Sequence, residues 1–549
     1  MPPTTTPHPK SDFRLDVPET FNFAFDVIDQ RAITDRQKLA MIWLDEQGRE
    51  LRMTYRELSL QSNRMANYLH ARGIGKGDHV MLMLPRVPEW WIAVVALIKL
   101  GAVACPSAIS MRPKDIVYRC QKANIKAVIT DLENHNKVDE VRSQIDSVEH
   151  FLLTDRSSSR EGWDNLMDEL RQVSDQLDRQ ALNPDPAHSD PMLIYFTSGT
   201  TGYPKMVMHR NSYAMAHRVT AEVWHDLKDH DLIWTITDTG WAKCAWGALF
   251  GQWIAGATLL IYDYRGKFDA DRVLNILSDY GVSVFCAPPT AYRLLIQEDL
   301  TAYNLRELRR CVSAGEPLNP EVINAWEKGT TNHLKIYEGY GQTETVCLVC
   351  TRPDMAVKAG AMGLPTPLFE VDVLGNDLQP VSPGEEGDIA VKVRPEHPLG
   401  IFEGYLDGDG QVNRDSFRGD WYLTGDRAHK DEDGYLWFVS RSDDVIKSSG
   451  YRIGPFEVES ALVEHPAVLE AAVIGVPDEL RGQAVKAFVI LSGKYEASEE
   501  LADALKKHVA SVTAAYKTPK HIEFATELPK TISGKIRRVE LREREAAKS

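Results

Sequence analysis

The amino-acid sequence predicts an α/β protein with a large N-terminal domain of stacked α/β sheets, a β-rich subdomain and a small α+β C-terminal domain. The chain has 549 residues, which is more than one ordinary domain contains. Continuous apolar strands alternate with apolar-rich helices through the first two-thirds, and short strands with Gly and Asp turns follow from residue 371. The alternating part indicates parallel sheets covered by helices.

The first βαβ unit is predicted between residues 79 and 105. Residues 79–84 form a continuous apolar run, residues 88–100 an apolar-rich helix, and residues 101–105 the start of the next strand. The same alternation recurs at 127–131, at 258–262 before 268–280, and at 282–286 before 290–296.

The polar stretch 440–444 lies between two structured regions, as a domain boundary does. We therefore predict an N-terminal domain over 1–441, with its β-rich subdomain at about 371–441, and a C-terminal domain over 442–549. Helices of the C-terminal domain are predicted near 455–463 and 498–512.

The charge balance excludes some classes of partner. Lys and Arg total 63, and Asp and Glu total 79, for a net charge of −16. A nucleic-acid-binding protein needs a basic stripe, so we expect no nucleic-acid partner. The longest apolar run, 90–98, ends at Lys99 and is too short to span a membrane. The Pro- and Thr-rich N-terminus does not resemble a secretory signal.

Seven cysteines, an odd number, indicate free thiols in a reducing compartment, and we expect a cytoplasmic protein. Cys347 and Cys350 form a C-x-x-C pair, which is typical of redox or metal sites. The flanking Val and Leu residues instead favour two small apolar side chains in a buried strand, because no second Cys pair or His cluster accompanies them.

The segment 195–205 has the composition of a polyphosphate site. An apolar strand enters a loop of small hydroxyl residues and glycines, which a lysine closes. Glycines let backbone N–H groups converge on an anion, hydroxyls add donors, and the lysine adds a charge. The spacing is not that of a Walker loop, and a flexible linker is the alternative. The residues concerned are Thr197, Ser198, Gly199, Thr200, Thr201, Gly202 and Lys205.

This segment resembles the phosphate loop of the adenylate-forming enzymes, which comprise acyl-CoA synthetases, adenylation domains of peptide synthetases, and luciferase. Family members usually have Gly where this chain has Met206. The segment 337–345 is similar to the family's adenine and magnesium motif: Tyr340 offers a flat face to a purine, Thr343 can hydrogen-bond an oxygen, and Glu344 suits Mg²⁺. A turn with a capping Thr/Glu pair is the alternative. The remaining nucleotide-binding candidates of this motif are Glu338, Gly339, Gly341 and Gln342.

Two further segments continue the resemblance in the family's order. Residues 313–317 are similar to the segment that lies against adenosine, although a Gly-Pro turn would look the same. Asp426 matches the ribose-binding carboxylate and Arg441 the arginine that also reaches the ribose, with a Gly-Asp turn and a surface charge as alternatives. The candidates in the adenosine segment are Gly315, Glu316 and Pro317.

The C-terminal part resembles the family's mobile domain. Lys535 matches the catalytic lysine, with a basic tail as the alternative, and Asp443 matches the hinge residue. The segment 444–455 is similar to the one that faces the active site during thioester formation, where Gly450 would let the pantetheine arm approach. Arg481 and Lys520 are candidates for the nucleotide end of coenzyme A, or are solvated surface charges. The other coenzyme A candidates are Ser449, Tyr451, Thr518 and Pro519.

The resemblance implies a two-step ligase that uses ATP, Mg²⁺ and coenzyme A. Glu344, the loop and Lys205 would hold the β- and γ-phosphates, and Lys535 would bridge the carboxylate and the α-phosphate. The C-terminal domain would then rotate about Asp443, so that Lys535 leaves and Gly450 arrives.

Among family members, the chain is most similar to medium-chain acyl-CoA synthetases. Gly341 stands where acetate-specific relatives have tryptophan, which predicts room for a short- to medium-chain or branched acid. Three alternatives stay open: an aryl acid such as benzoate, a free-standing enzyme that loads a carrier protein, and a non-catalytic nucleotide sensor. A monomer or a homodimer is expected. Candidates for the acyl pocket besides Gly341 are Trp241, Lys243, Cys286 and Arg452.

Overall fold

The computed structural model of the protein describes residues 13–155, 160–183, 185–197, 204–330, 333–449, 451–478, 480–493, 495–530 and 536–548. It confirms the predicted fold class. Two nine-stranded sheets share one buried cluster, to which Met41 and Ile233 of the first sheet and Val80 and Leu193 of the second belong. The two sheets are therefore stacked face to face across a common core.

The first sheet is parallel in its centre and antiparallel at its edges. In spatial order its strands are Leu364–Pro365, Val349–Cys350, Ile336–Tyr340, Arg310–Ser313, Val284–Ala287, Leu232–Thr235, Thr258–Asp263, Leu39–Asp45 and Glu50–Thr54. The second sheet, in the same sense, consists of Val412–Asn413, Tyr405–Leu406, Lys205–Arg210, Pro191–Thr197, Val103–Pro106, His79–Met83, Ala127–Thr130, His150–Leu153 and Asp164–Asn165.

Two smaller sheets follow in the chain. The β-rich part is antiparallel and contains Val371–Leu374, Glu386–Lys392, Trp421–Lys430, Phe417–Arg418 and Leu436–Arg441. The last sheet contains Tyr451–Ile453, Ile446–Ser448, Gly482–Leu491, Val468–Asp478 and His521–Phe524. This last sheet has a buried cluster of its own, as an independently packed unit does.

The helix Pro88–Leu100 shows how the sequence determines an element. Proline occupies its first turn, and Gly101 ends it in the left-handed conformation with φ 69°, which suits a residue without a Cβ. Of its residues only Glu89 is not buried, because a helix that is apolar on all sides belongs inside a core. Lys99 is buried in this helix although its side chain is charged, and its Nζ lies 2.7 Å from Asp29 Oδ1.

The other α-helices lie between strands in the chain, except that Gln30–Thr34 precedes the first strand and Arg538–Ala546 follows the last. They are Gln30–Thr34, Tyr55–Ala71, Pro113–Lys122, His135–Asp139, Leu166–Glu169, Arg179–Leu182, Ser212–Arg218, Ala242–Gly247, Phe250–Ala255, Ala270–Asp279, Pro289–Leu295, Pro320–Gly329, Pro455–Val463, Glu499–Val512 and Arg538–Ala546. Within the described ranges, none of the helices has the length and apolarity needed to cross a bilayer.

Candidate active site

Asp426 is the centre of the candidate nucleotide site. Its carboxylate is buried and faces the end of the strand Ile336–Tyr340. The Tyr340 hydroxyl donates to Asp426 Oδ2 at 2.7 Å, and Gln342 Nε2 donates to the same oxygen at 2.6 Å. Arg441 is the register partner of Asp426 on the adjacent strand, and its Nη1 lies 3.3 Å from Oδ1. Both carboxylate oxygens are thus oriented by neighbouring groups.

The electrostatics around Arg441 follow from these neighbours. Burial lowers the pKa of its guanidinium, but the carboxylates of Asp426 and Asp443 outweigh that effect and the net pKa is raised. Arg441 Nε lies 3.7 Å from Asp443 Oδ1. The predicted hinge residue is therefore in contact with a predicted ribose-site residue.

A second group of residues forms around Glu344. The Tyr405 hydroxyl donates to Glu344 Oε1 at 2.7 Å, and the Lys205 ammonium lies 4.4 Å from the centre of the Tyr405 ring. Tyr405 reaches this position because its strand pairs with the strand that begins at Lys205. One tyrosine thus contacts both charged residues that are predicted to face the phosphates and the metal.

The backbone of the Thr343–Glu344 pair is fixed from two sides. Burial lowers the pKa of His209 to about 4, so its ring is neutral and Nε2 donates to the Thr343 carbonyl oxygen at 2.7 Å. The Phe402 N–H donates to the Glu344 carbonyl oxygen at 2.9 Å. His209, Phe402 and Tyr405 were not identified from the sequence, because each contacts the pair only through the tertiary fold.

The predicted adenosine segment lies against Glu338. The Leu318 N–H donates to Glu338 Oε1 at 3.1 Å, while Oε2 has no partner among the described residues. Burial raises the pKa of this carboxyl to about 8, which keeps it protonated at neutral pH. Gly315 has φ 105°, a conformation that glycine adopts readily. A Cβ at Gly339 would lie 2.4 Å from Trp224 Cε2, so only glycine fits there.

Glu316 of the same segment connects to the C-terminal part of the chain, residues 442–549. Arg293 Nη2 lies 3.8 Å from Glu316 Oε2, and its Nη1 lies 3.9 Å from Glu470 Oε1. Glu470 Oε2 in turn accepts from Lys530 Nζ at 2.9 Å. Lys530 also forms a β-bridge with Ile536. Lys530, the described residue before 531–535, is therefore connected to the adenosine segment through Glu470 and Arg293.

Several of the described coenzyme A candidates make contacts within the C-terminal part of the chain. The Ser449 N–H donates to the Arg481 carbonyl oxygen at 2.8 Å, and Lys520 Nζ lies 2.6 Å from Asp478 Oδ2. Tyr451 stacks on Tyr516, with ring centres 4.2 Å apart. Thr518 and buried Pro519 lie between Tyr516 and Lys520 in the chain.

The acyl candidates are brought together in part. Lys243 Nζ donates to the Ala314 carbonyl oxygen at 3.1 Å, within the adenosine segment. Cys286 is buried and lies on the strand that pairs with Arg310–Ser313, at the start of that segment. Half-buried Trp241 precedes the helix Ala242–Gly247. A Cβ at Gly341 would lie 2.3 Å from Trp246 Cη2. The space that glycine leaves is thus bordered by an indole ring.

Arg452 is not placed with the acyl candidates. It lines a separate cleft of about 440 Å³, which Gly425, Arg427 and Lys447 also border. The reason is its position on the strand Tyr451–Ile453, which faces the β-rich part of the chain in this structure. Contact between Arg452 and an acyl group would require the C-terminal part to move.

Some predicted residues lie outside the described ranges: Ser198, Gly199, Thr200, Thr201, Gly202, Gly450 and Lys535. Thr197 and Lys205, which flank the predicted phosphate loop, are register partners in adjacent antiparallel strands.

Cys347 and Cys350 behave as apolar residues. Both are buried, and burial raises the pKa of the Cys347 thiol well above its ordinary value. Within the described parts of the chain, no three His, Cys, Asp or Glu side chains cluster as metal ligands.

Comparison with known proteins identifies close relatives. The chain is 46% identical to the rat mitochondrial acyl-coenzyme A synthetase ACSM3, over 98% of this chain and 92% of that protein. It is 43% identical to human mitochondrial ACSM5, over 97% of this chain and 92% of that protein. These relatives contradict the expected cytoplasmic location, because both are mitochondrial proteins. Seven buried cysteines without disulfides are compatible with any reducing compartment, so they do not distinguish the cytoplasm from another.

Solved structures show the same fold. The anthranilate CoA ligase AuaEII, in complex with anthranoyl-AMP, superposes with a TM-score of 0.88 at 29% identity, over 97% of this chain and 99% of that one. An acyl-CoA synthetase of Brucella canis gives a TM-score of 0.72 at 34% identity, over 96% and 95% of the two chains.

The family profiles agree with both comparisons. The profile described as AMP-binding enzyme matches residues 28–406, and the profile of the AMP-binding enzyme C-terminal domain matches residues 457–535. The first profile includes Lys205 and Glu344, and the second ends at Lys535. The chain belongs to the AMP-binding enzyme family and is an acyl-CoA synthetase within it.

Proposed function

We propose that this enzyme activates a short- to medium-chain carboxylic acid, straight or branched, with ATP and transfers the acyl group to coenzyme A, releasing AMP and pyrophosphate. The observation that carries the proposal is the convergence of Tyr340, Gln342 and Arg441 on the buried carboxylate of Asp426. A carboxylate oriented in this way can accept hydrogen bonds from the two hydroxyls of a ribose. The triphosphate would then extend toward Glu344 and Lys205.

In the first step, an oxygen of the substrate carboxylate attacks the α-phosphorus, and the bond to pyrophosphate breaks. Both reactants are anions, so positive charge must be in place before they approach. We assign Lys205 to the departing phosphates and Lys535 to the carboxylate and the α-phosphate. Support for Lys535 comes from Lys530, five residues earlier, which is connected through Glu470 and Arg293 to Glu316 of the adenosine segment.

The donor set fits a magnesium ion that arrives with ATP. Mg²⁺ prefers oxygen ligands, and water and phosphate oxygens fill most of its coordination positions. One or two protein carboxylates are therefore enough to bind it. Glu344 offers one such carboxylate. His209 and Phe402 fix the backbone at this position through hydrogen bonds to the carbonyl oxygens of Thr343 and Glu344. Bound there, Mg²⁺ would neutralise charge on the polyphosphate.

In the second step, the coenzyme A thiol gives up its proton, its sulfur attacks the acyl carbon, and AMP leaves. The described coenzyme A candidates, including Arg481 and Tyr451, lie on the C-terminal part of the chain. We therefore assign 442–549 to a mobile domain that turns about Asp443. The contact of Asp443 with Arg441 would couple that turn to the nucleotide site.

The size of the acid depends on Gly341 and Trp246, which border the same space. The rat and human relatives are acyl-coenzyme A synthetases, a description that fits an alkyl acid. An aryl acid is the second candidate, because a benzoate CoA ligase from Burkholderia xenovorans LB400 has the same fold, with a TM-score of 0.80 at 26% identity over 95% of this chain and 100% of that one.

A screen of pyrophosphate and AMP release tests the proposal. Acids from acetate to octanoate, with branched and aryl members, are supplied with ATP and Mg²⁺, with and without coenzyme A. We expect turnover with an alkyl acid that needs both the acid and coenzyme A. Preferred turnover of benzoate would favour the aryl candidate, and transfer to a carrier protein but not to coenzyme A would contradict the proposal.

A further inference from the structure

Tyr405 lies between two residues of opposite charge. Its hydroxyl donates to Glu344 Oε1 at 2.7 Å, and the face of its ring lies 4.4 Å from Lys205 Nζ. The carboxylate is buried, Lys205 is exposed and Tyr405 is half-buried. One side chain therefore binds an anion at its polar end and a cation on its aromatic face.

The position of the ring is fixed by its surroundings. Tyr405 is paired through its backbone with Val207, two residues beyond Lys205. Its ring packs edge-on against Phe402, with centres 4.9 Å apart, and the Phe402 N–H holds the Glu344 carbonyl oxygen. The tyrosine, the carboxylate and the ammonium thus keep a fixed relation to each other.

A direct ion pair between Lys205 and Glu344 would be harmful to a site of the proposed function. The attraction between unlike charges grows as water is excluded, and the pair would neutralise both groups. The carboxylate would lose the lone pairs that a metal needs, and the ammonium would lose the donors that a phosphate needs. A site that binds magnesium and phosphate with these residues must therefore keep them apart.

We propose that Tyr405 is a positioning residue that keeps Lys205 and Glu344 from pairing, so that both stay available to Mg²⁺ and ATP. The ring acts as a spacer, and its hydroxyl orients the carboxylate. This inference rests on the proposed function, because it takes Glu344 as the residue that holds the metal.

The test measures how strongly Mg²⁺ and ATP assist each other's binding. Titration calorimetry gives the Kd of ATP, without acid so that no turnover occurs, in excess Mg²⁺ and in EDTA. The ratio of the two Kd values is the metal coupling. Five proteins are compared: the wild type, Tyr405→Phe, Tyr405→Leu, Lys205→Met, and Tyr405→Leu with Lys205→Met.

Tyr405→Leu removes the spacer, so we expect its metal coupling to fall about tenfold. Tyr405→Phe keeps the ring, and its coupling should stay within about threefold of the wild type. In the double variant, Glu344 has no lysine to pair with, so the coupling should return to that of Lys205→Met. A second substitution would not restore the metal coupling if Tyr405→Leu had lost it through misfolding.

Two results would overturn the inference: a wild-type coupling in Tyr405→Leu, or no recovery in the double variant. Glu344→Gln separates this inference from the proposed function. If Glu344→Gln keeps the wild-type coupling, the proposed role of Glu344 fails. If it abolishes the coupling while Tyr405→Leu does not change it, only the role of Tyr405 fails.

Discussion

Arg293 lies between two carboxylates that belong to different parts of the chain. Its guanidinium is 3.8 Å from Glu316 of the adenosine segment and 3.9 Å from Glu470 of the C-terminal part. Glu470 also binds Lys530, five residues before Lys535. Arg293 therefore connects the adenosine segment to the C-terminal part of the chain, and we infer that it stabilises the observed orientation, which we assign to adenylate formation.

Arg293→Met is expected to slow adenylate formation about fivefold, because that orientation loses an ion pair of partly buried groups. Thioester formation from supplied acyl-adenylate should change little, since it needs the other orientation. ATP–pyrophosphate exchange and single-turnover thioester formation measure the two steps. Arg352→Met is the control, because Arg352 pairs with nearby Asp354 instead. Equal slowing of both steps would contradict this role.

Glu338 predicts a pH-dependent stability. Its pKa is raised by burial from 4.5 to about 8, so the folded state binds a proton that the unfolded state has released. The stability it contributes is complete below about pH 4.5 and is lost as pH rises toward 8, by at most about 1.4 kcal/mol per pH unit. Across this pH range, the Tm of Glu338→Gln should increase relative to the Tm of the wild type as pH rises. A constant Tm difference would show that Glu338 is ionised in the fold.

Gly341→Ala should disfavour the larger acids. Its Cβ would lie 2.3 Å from Trp246 Cη2 and 2.6 Å from the Val346 carbonyl oxygen, so the indole and this backbone must shift, and we expect the indole to enter the proposed acyl pocket. We expect kcat/KM for octanoate to fall at least about tenfold, with a smaller effect on acetate. Gly493→Ala is the control, because a Cβ added at Gly493 would have no neighbour within 4 Å. An equal loss for both acids would mean that Trp246 does not border the acyl pocket.

Lys99→Ala should destabilise the fold by about 3 kcal/mol, because it removes a fully buried side chain that binds both Asp29 and Asn63 and leaves a cavity in its place. Lys99 is fully buried and lies 2.7 Å from Asp29 Oδ1. Lys126→Ala is the matched control: its pair with Asp78 is partly exposed, so its loss should cost at most about 1 kcal/mol. Urea unfolding measures both, and equal losses would contradict the assignment.

The sequence predicted local features better than distant contacts. The helix Pro88–Leu100 was predicted with its observed bounds, because proline, glycine and the apolar run are local signals. Tyr405 carried no such signal: it belongs to a strand of two residues, and only the fold brings it to Glu344. Gly341 predicts room for the acid, and the structure adds that the Trp246 ring lies beside this residue. Packing between distant segments decided both cases.

The most direct test of the proposed chemistry is the effect of Lys535→Ala on the two half-reactions. We predict that ATP–pyrophosphate exchange falls at least about 100-fold, while thioester formation from supplied acyl-adenylate stays within about threefold of the wild type. Lys548→Ala is the control, because Lys548 is exposed and pairs with Glu545. Exchange in Lys535→Ala as fast as in Lys548→Ala would contradict the assignment of Lys535 to adenylate formation.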